Sequence, residues 1–276
     1  MGAPNYKLAK FLSTSLKAYI QLKHQYNVEN STKLAHDLKH ITMHDKHRLI
    51  SFDIKDLYVN IPIDETINIT KPLLLAQNDK TITQQMTTLL ENTLQQNYFS
   101  FENNIYQPTK GICMGSPLSG DIAEIFLQHI EQTNNKQIME NKNITFYTIY
   151  VDDILIIYDS TQCSATDINI YMNAIHPNFK FTLTQEVNRT INFLYLTITR
   201  HDSTFDINVY RKPTNTDTTI NYYSNHPLEH KTAAYRYFIN RVYSMPLTNY
   251  NQKKEWRLIQ NITQNNNFPP HIIDNL

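Results

Sequence analysis

Two adjacent carboxylates, Asp152 and Asp153, lie between Thr145-Phe146-Tyr147-Thr148-Ile149-Tyr150 and Ile154-Leu155-Ile156-Ile157-Tyr158, two runs rich in β-branched and aromatic residues. Such runs around a short polar break read as a β-hairpin carrying the carboxylates at its turn. Held roughly 4 Å apart, two ionised carboxylates repel by about 4 kcal/mol at an effective dielectric near 20, so the fold must supply a counter-charge. A divalent cation is the natural candidate, and a solvated Asp-Asp turn is the plain alternative. A third carboxylate, Asp53, closes the strand-like run Leu49-Ile50-Ser51-Phe52-Asp53-Ile54. If the two strands are neighbours, Asp53, Asp152 and Asp153 meet at one edge of a sheet. That cluster suits Mg²⁺, which takes hard oxygen ligands and keeps water or substrate phosphate in its remaining positions. Two such ions can activate an attacking hydroxyl and stabilise a leaving phosphate together.

The elements that must position these groups follow from periodicity. Leu8, Phe11, Leu12, Leu16 and Ile20, then Leu34, Leu38 and Ile41, recur at three- and four-residue spacing, which predicts helices broken near residues 27–31. After Asp53, Ile61-Pro62-Ile63-Asp64-Glu65 offers a helix start with Asp64 as N-cap, and helical spacing returns over 67–75 and 83–94. Residues 98–107 read as a hairpin turning at Asn103-Asn104. Three of the four glycines fall between Lys110 and Gly120, which implies a backbone that bends sharply or approaches a ligand closely. Ser116-Pro117 then opens a helix through Ile122, Ile125, Phe126 and Ile130, with proline at the favoured first-turn position. Beyond the Asp-Asp hairpin the pattern predicts a helix over 167–175, a strand over 179–183 and a second hairpin from 191–199 and 205–210. Basic helices follow over 230–243 and 252–262, and Asn265-Asn266-Asn267-Phe268-Pro269-Pro270 reads as a fraying tail.

With 276 residues, 41% of them hydrophobic and 18% charged, the chain is globular, with length for one large domain or two small ones. No apolar run approaches a membrane span and Met1-Gly2-Ala3-Pro4 has no signal pattern, so an intracellular protein without a membrane partner is expected. Cys113 and Cys163 lie far apart, which supports neither a disulfide framework nor a zinc knuckle. The triplets Asn68-Ile69-Thr70 and Asn143-Ile144-Thr145 are a chance product of an Asn- and Thr-rich chain. The zero net charge hides an uneven layout. Residues 1–48 hold eight Lys/Arg against three Asp/Glu, 49–210 nine against eighteen, and 211–257 eight against three. Basic flanks around an acidic centre suit a polyanion held by its backbone while metal ions act at the centre.

These residues resemble a known family. Phe52-Asp53-Ile54-Lys55-Asp56-Leu57-Tyr58, Gly115-Ser116-Pro117-Leu118-Ser119, Tyr150-Val151-Asp152-Asp153 and Phe193-Leu194-Tyr195-Leu196 match in order the successive palm motifs of reverse transcriptases. More narrowly, Asn60-Ile61-Pro62-Ile63-Asp64-Glu65-Thr66, Met114-Gly115-Ser116-Pro117, Arg211-Lys212-Pro213-Thr214 and Ser224-Asn225-His226-Pro227 resemble Penelope-like retroelement polymerases. The resemblance runs from about Tyr6 to Ile273. Gly120 stands where the family has proline, and Tyr195 where it has aspartate after Phe-Leu.

The resemblance implies an α+β fold: a right-hand polymerase palm of antiparallel sheet packed on helices, with partial fingers and a helical thumb. Its division would be a helical remnant of fingers over 1–48, the palm over 49–210 and a basic thumb over 211–276. It implies RNA-directed DNA synthesis from a primer 3′ hydroxyl, with an RNA template, a DNA primer and deoxynucleoside triphosphates as partners, and leaves the oligomeric state open. Asp53 and Asp152 would hold two Mg²⁺ ions, or Mn²⁺, with the Ile54 carbonyl helping and Asp153 nearby. Tyr58 would exclude a ribose 2′ hydroxyl, Met114 and Gly115 would line the nucleotide and template pocket, and Lys180 would protonate pyrophosphate. Phe193 and Leu194 would open the hairpin that grips the primer end. Lys231, Arg236 and Arg241, with Lys253, Lys254 and Arg257, would meet the duplex backbone. A fingers segment with triphosphate-binding basic residues belongs upstream of Tyr6, so an N-terminally truncated enzyme is expected, without the GIY-YIG endonuclease often found at the end of such proteins. Action on chromosomal DNA would place it in the nucleus. The rival readings are a non-catalytic nucleic-acid-binding remnant and an RNA-copying RNA polymerase.

Overall fold

A computed structural model describes residues 4–22, 25–77, 79–141 and 144–276, with the backbone alone over 135–141. Met1 to Ala3 and Asn143 of the Asn-Ile-Thr triplet lie outside the described residues. The chain forms two compact units, each drawn from three stretches of sequence: 1–27, 52–154 and 161–183 in the first, 28–51, 155–160 and 184–276 in the second. A four-stranded sheet of order β4-β5-β1-β6 is built from β1 (His47–Ile54), β4 (Ile144–Tyr150), β5 (Asp153–Asp159) and β6 (Phe181–Gln185).

The first unit is rich in helices: α1 (Tyr6–Tyr19), the single turn α3 (Leu57–Asn60), α4 (Ile63–Leu75), α5 (Lys80–Gln95), α6 (Ser119–Asn141) and α7 (Ala165–Ala174). α1 buries Ala9, Leu12, Ser13 and Leu16, and α5 buries Met86, Leu90 and Leu94, stripes at three- and four-residue spacing. These faces let α1 and α4 pack on α5 and α6. The Asp79 side chain accepts from the Ile82 N–H at 2.8 Å and caps α5. α4 instead starts at Ile63 behind Pro62, so Asp64 lies inside the first turn rather than at the N-cap, where its charge still favours the helix N-terminus. α6 begins at Ser119, after Pro117, because the Ser119 hydroxyl donates to the Cys113 carbonyl at 2.6 Å and folds the preceding loop back. The short hairpin β2 (Phe99–Phe101) and β3 (Asn104–Tyr106) turns at Glu102-Asn103, both at positive φ, one residue earlier than expected. That register pairs Phe99 with Tyr106, whose rings stack at 5.5 Å.

The second unit holds α2 (Ser31–Lys39), an antiparallel sheet of β7 (Thr190–Phe193), β8 (Leu196–Arg200) and β9 (Phe205–Val209), and the helices α8 (Leu228–Ser244), α9 (Asn249–Asn265) and α10 (Pro270–Asp274). The sequence pattern over 191–210 is thus a three-stranded meander rather than a single hairpin, pairing Ile191 with Ile198 and Ile198 with Ile207. Leu196 and Ile198 alternate with Thr197 and Thr199, so one face of β8 is buried and the other carries hydroxyls. Tyr235, Val242, Ile259, Ile262, Phe268 and Ile273 form one buried cluster. Phe268 and Ile273 therefore pack the C-terminal stretch into a core, and the expected fraying tail is a folded element.

Candidate active site

Phe52 and Ile54 are buried, so the strand alternation turns the side chain of Asp53 between them to the opposite, exposed face. The Ile54 N–H donates to the Asp152 carbonyl at 3.0 Å, and the Lys55 N–H donates to the Lys180 carbonyl at 2.9 Å. The end of β1 is thereby fastened to the tip of the Asp-Asp hairpin and to the residue before β6. Partial burial first, then the Asp152 and Asp56 carboxylates, hold the Asp53 carboxyl above its ordinary value. The hairpin tip is a two-residue turn, Val151-Asp152, with Val151 at φ +56°. Glycine is the residue that takes this conformation without cost, and a β-branched side chain there stores about 1–3 kcal/mol of strain. Asp153 opens β5 and is half-buried.

Tyr58 is placed by a second crossing of the backbone. The Ile112 N–H donates to the Tyr58 carbonyl at 2.8 Å, and Gly111 at φ +76° lies so close that a methyl group there would fall inside the Val59 backbone. Tyr58 lines a cavity of about 290 Å³ with Gly120, Ala123, Leu127 and Val151. Its polar lining was not foreseen: Asp121, Glu124, Gln128 and Glu131 project into it from α6, and Lys17 pairs with Asp121 at 3.3 Å. Their spacing of three, four and three residues, interleaved with Ile122, Ile125, Phe126 and Ile130, is the signal that marks them in the sequence. Burial pushes the Glu131 carboxyl up to about 7, against a hydrogen bond from the Tyr147 hydroxyl at 3.5 Å.

Other expected residues fall elsewhere. Met114 and Gly115 line a separate cavity of about 220 Å³ with Tyr6, Tyr98 and Cys113, and Met114 is 71% exposed. Lys180 is exposed beside β1. In the second unit Phe193 is buried, and Leu194-Tyr195 forms the β7–β8 turn with both residues at positive φ. Arg236 is exposed, and the half-buried Lys231 donates one hydrogen bond from its ammonium to the Tyr222 carbonyl at 2.6 Å. Arg241 does not reach the surface. It is buried with its guanidinium over the Tyr237 and Phe238 rings, and burial lowers its proton affinity, so it serves the fold instead of a phosphate.

Residues 5–191 match the family model described as reverse transcriptase (RNA-dependent DNA polymerase). The chain belongs to the reverse transcriptase family. Residues 218–276 of this family member also match a model described as an animal helix-turn-helix domain. No curated protein matches the sequence. Among solved structures, telomerase from Candida albicans, in complex with a TWJ fragment of telomeric RNA, is similar at a TM-score of 0.64 and 12% identity over 95% of this chain and 46% of that one. Apo telomerase from Candida tropicalis, truncated from its C-terminal domain, is similar at 0.55 and 15% identity over 75% of this chain and 45% of that one. The fold is that of palm-type polymerases, α+β with antiparallel sheet, and the chain spans less than half the length of these two structures.

Reverse transcriptases generally work with divalent metal ions, and the donor set here fits one. The Asp152 carboxylate lies close enough to Asp53 to help raise its proton affinity, and one or two carboxylates with water and phosphate are the usual protein contribution to Mg²⁺. Among the described residues no group of three or more His, Cys, Asp or Glu is arranged to hold a metal.

Proposed function

We propose that this chain is the polymerase portion of a Penelope-like retroelement reverse transcriptase, extending a primer 3′ hydroxyl with deoxynucleoside triphosphates along an RNA template. The observation that carries this reading is the 3.0 Å hydrogen bond from the Ile54 N–H to the Asp152 carbonyl, which sets Asp53 beside Asp152 within one unit. The Asn60-Ile61-Pro62-Ile63-Asp64-Glu65-Thr66 and Ser224-Asn225-His226-Pro227 spellings support the narrower assignment. Asp53 and Asp152, with Asp153 and the Ile54 carbonyl alongside, would hold Mg²⁺ or Mn²⁺, which supplies neutralisation of the triphosphate and acidification of the 3′ hydroxyl. Tyr58 would meet the sugar at its 2′ position, Met114 and Gly115 the template side, Lys180 the departing pyrophosphate, and Phe193-Leu194 the primer end. Arg236 and Lys231 would meet the backbone of the duplex, in the nucleus where the target is chromosomal DNA.

Primer extension on an RNA template tests this. With Mg²⁺, the chain extends the primer with deoxynucleotides, Asp152→Ala lowers the rate by at least about a hundredfold, and Tyr58→Val raises ribonucleotide use relative to deoxynucleotide use. A second reading, a binding remnant without turnover, is favoured by the basic flanks, whose exposed Lys253, Lys254 and Arg257 can meet phosphates without a metal. It predicts template binding with no extension by either protein, whereas efficient ribonucleotide synthesis without the Tyr58 change would point to an RNA polymerase.

A further inference from the structure

The helix α9 has two unlike sides. Asn251, Glu255, Ile259, Ile262 and Thr263 face inward, where the Asn251 amide donates to both Asp206 carboxylate oxygens at 3.0 and 3.1 Å and Glu255 takes a two-pronged ion pair from Arg211 at 2.7 and 2.8 Å. These pins fix which side faces out. The outer side carries Lys253, Lys254 and Arg257, all exposed, and the helix has no acidic residue besides the buried, paired Glu255.

Two grooves flank this basic side, and Lys253 and Arg257 line both. One, of about 460 Å³, adds Tyr250, Lys254, Asn208 and Asn261, and the other, of about 400 Å³, adds Tyr243, Trp256, Gln252 and Gln260. Tyr250 is 76% and Tyr243 68% exposed, and the Tyr243 and Trp256 rings lie 6.4 Å apart at 57°. Exposed rings set between cations, with amide side chains at the rims, offer stacking faces for bases and charges for phosphates. Tyr250 to Asn261 spans about 16 Å of helix at 1.5 Å per residue, the length of four or five stacked nucleotides.

We infer that the outer side of α9 binds single-stranded nucleic acid, its bases stacked on Tyr250, Tyr243 and Trp256 and its phosphates on Lys253, Lys254 and Arg257. A continuous duplex keeps its bases covered and offers these rings no stacking partner, so the preference is for the unpaired strand. This goes beyond the polymerase reading and does not need it, since no group at the Asp53–Asp152 pair takes part.

Trp256 is the only tryptophan of the chain, so its emission reports on this site alone. Titration of the whole protein with twelve-residue oligo(dT) and oligo(U), without nucleotides or divalent metal, quenches the emission saturably. With three phosphate contacts, log affinity against log salt has a slope of about −2. By anisotropy of a labelled oligonucleotide, Tyr250→Ala weakens binding about tenfold, while Lys253→Gln with Arg257→Gln weakens it and flattens the salt slope. These side chains are exposed, and an unchanged urea midpoint verifies that each variant is folded. The inference is overturned if a duplex of equal length quenches Trp256 emission as well as the single strand does, if Trp256 emission does not respond, or if neither set of substitutions weakens binding.

Discussion

At the scale of single residues, Gly111 and Glu131 make the strongest demands around Tyr58. Gly111→Ala must find room against the Val59 backbone at a left-handed φ, so Val59 and the neighbouring Tyr58 have to move. The variant is expected to lose about 2–4 kcal/mol in urea unfolding and to lose sugar selectivity along with stability. Glu131, buried in the cavity wall, binds its proton more tightly folded (pKa about 7) than unfolded (about 4.5). The folded state therefore holds more protons between these values, so this contribution is full below pH 4.5 and is lost as pH rises towards 7. Glu131→Gln is expected to remove that slope and to stabilise the protein at pH 8 by up to about 3 kcal/mol, read from urea midpoints across pH. Both residues lie in stretches where the sequence was informative in part. The glycine cluster announced a close approach, but not to which backbone; Glu131 carries a charge, and only the packing of α6 on β4 reveals that it is buried. Arg241 is the converse case. Tyr235, Phe238 and Arg241 recur every three residues on α8, and that periodicity, more than the charge, decides where the side chain goes.

At the scale of elements, two tight turns carry residues that their backbone disfavours. Val151 takes the left-handed position in the β4–β5 turn, and Leu194 and Tyr195 take both in the β7–β8 turn. In the second case Asn-Gly is the pair suited to two positive φ values, so replacing Leu194-Tyr195 with Asn-Gly is expected to stabilise the chain by about 1–2 kcal/mol in thermal or urea unfolding. Val151→Gly is expected to stabilise by less, because glycine also frees the unfolded chain, and to slow primer extension, because the turn that presents Asp152 loses its fixed shape. Unchanged extension by Val151→Gly would show that the strain has no part in presenting the carboxylate. The strands on either side of these turns were legible because alternation of apolar residues survives in them. Turn registers were not, since Glu102-Asn103 and Asn103-Asn104 are equally polar and the choice is made by Phe99 stacking on Tyr106. Helix starts failed for a related reason: Asp64 and Pro117 have the right chemistry, but Pro62 and the Ser119–Cys113 hydrogen bond set the boundaries.

At the scale of the molecule, the two proposed tasks fall to two sets of residues. The carboxylate pair belongs to the first unit, and the cationic side of α9 belongs to the second. The acidic centre and the basic C-terminal flank are legible in the linear sequence, because charge counts survive folding. The units are not legible there, because each closes over three separated stretches and the sequence marks no linker between them. Catalysis through the pair needs a divalent cation, whereas electrostatic contact with phosphates needs only Lys and Arg and is weakened by salt. Chelation and salt should therefore act on different observables. Excess EDTA is expected to abolish primer extension while leaving single-strand affinity unchanged within about twofold, and raising salt from 50 to 200 mM is expected to lower that affinity roughly tenfold or more. Extension that persists in EDTA would remove the carboxylate pair from the reaction. Affinity that falls with EDTA at constant ionic strength would place the bound strand on the metal site, and the division of tasks between Asp53–Asp152 and α9 would fail with it.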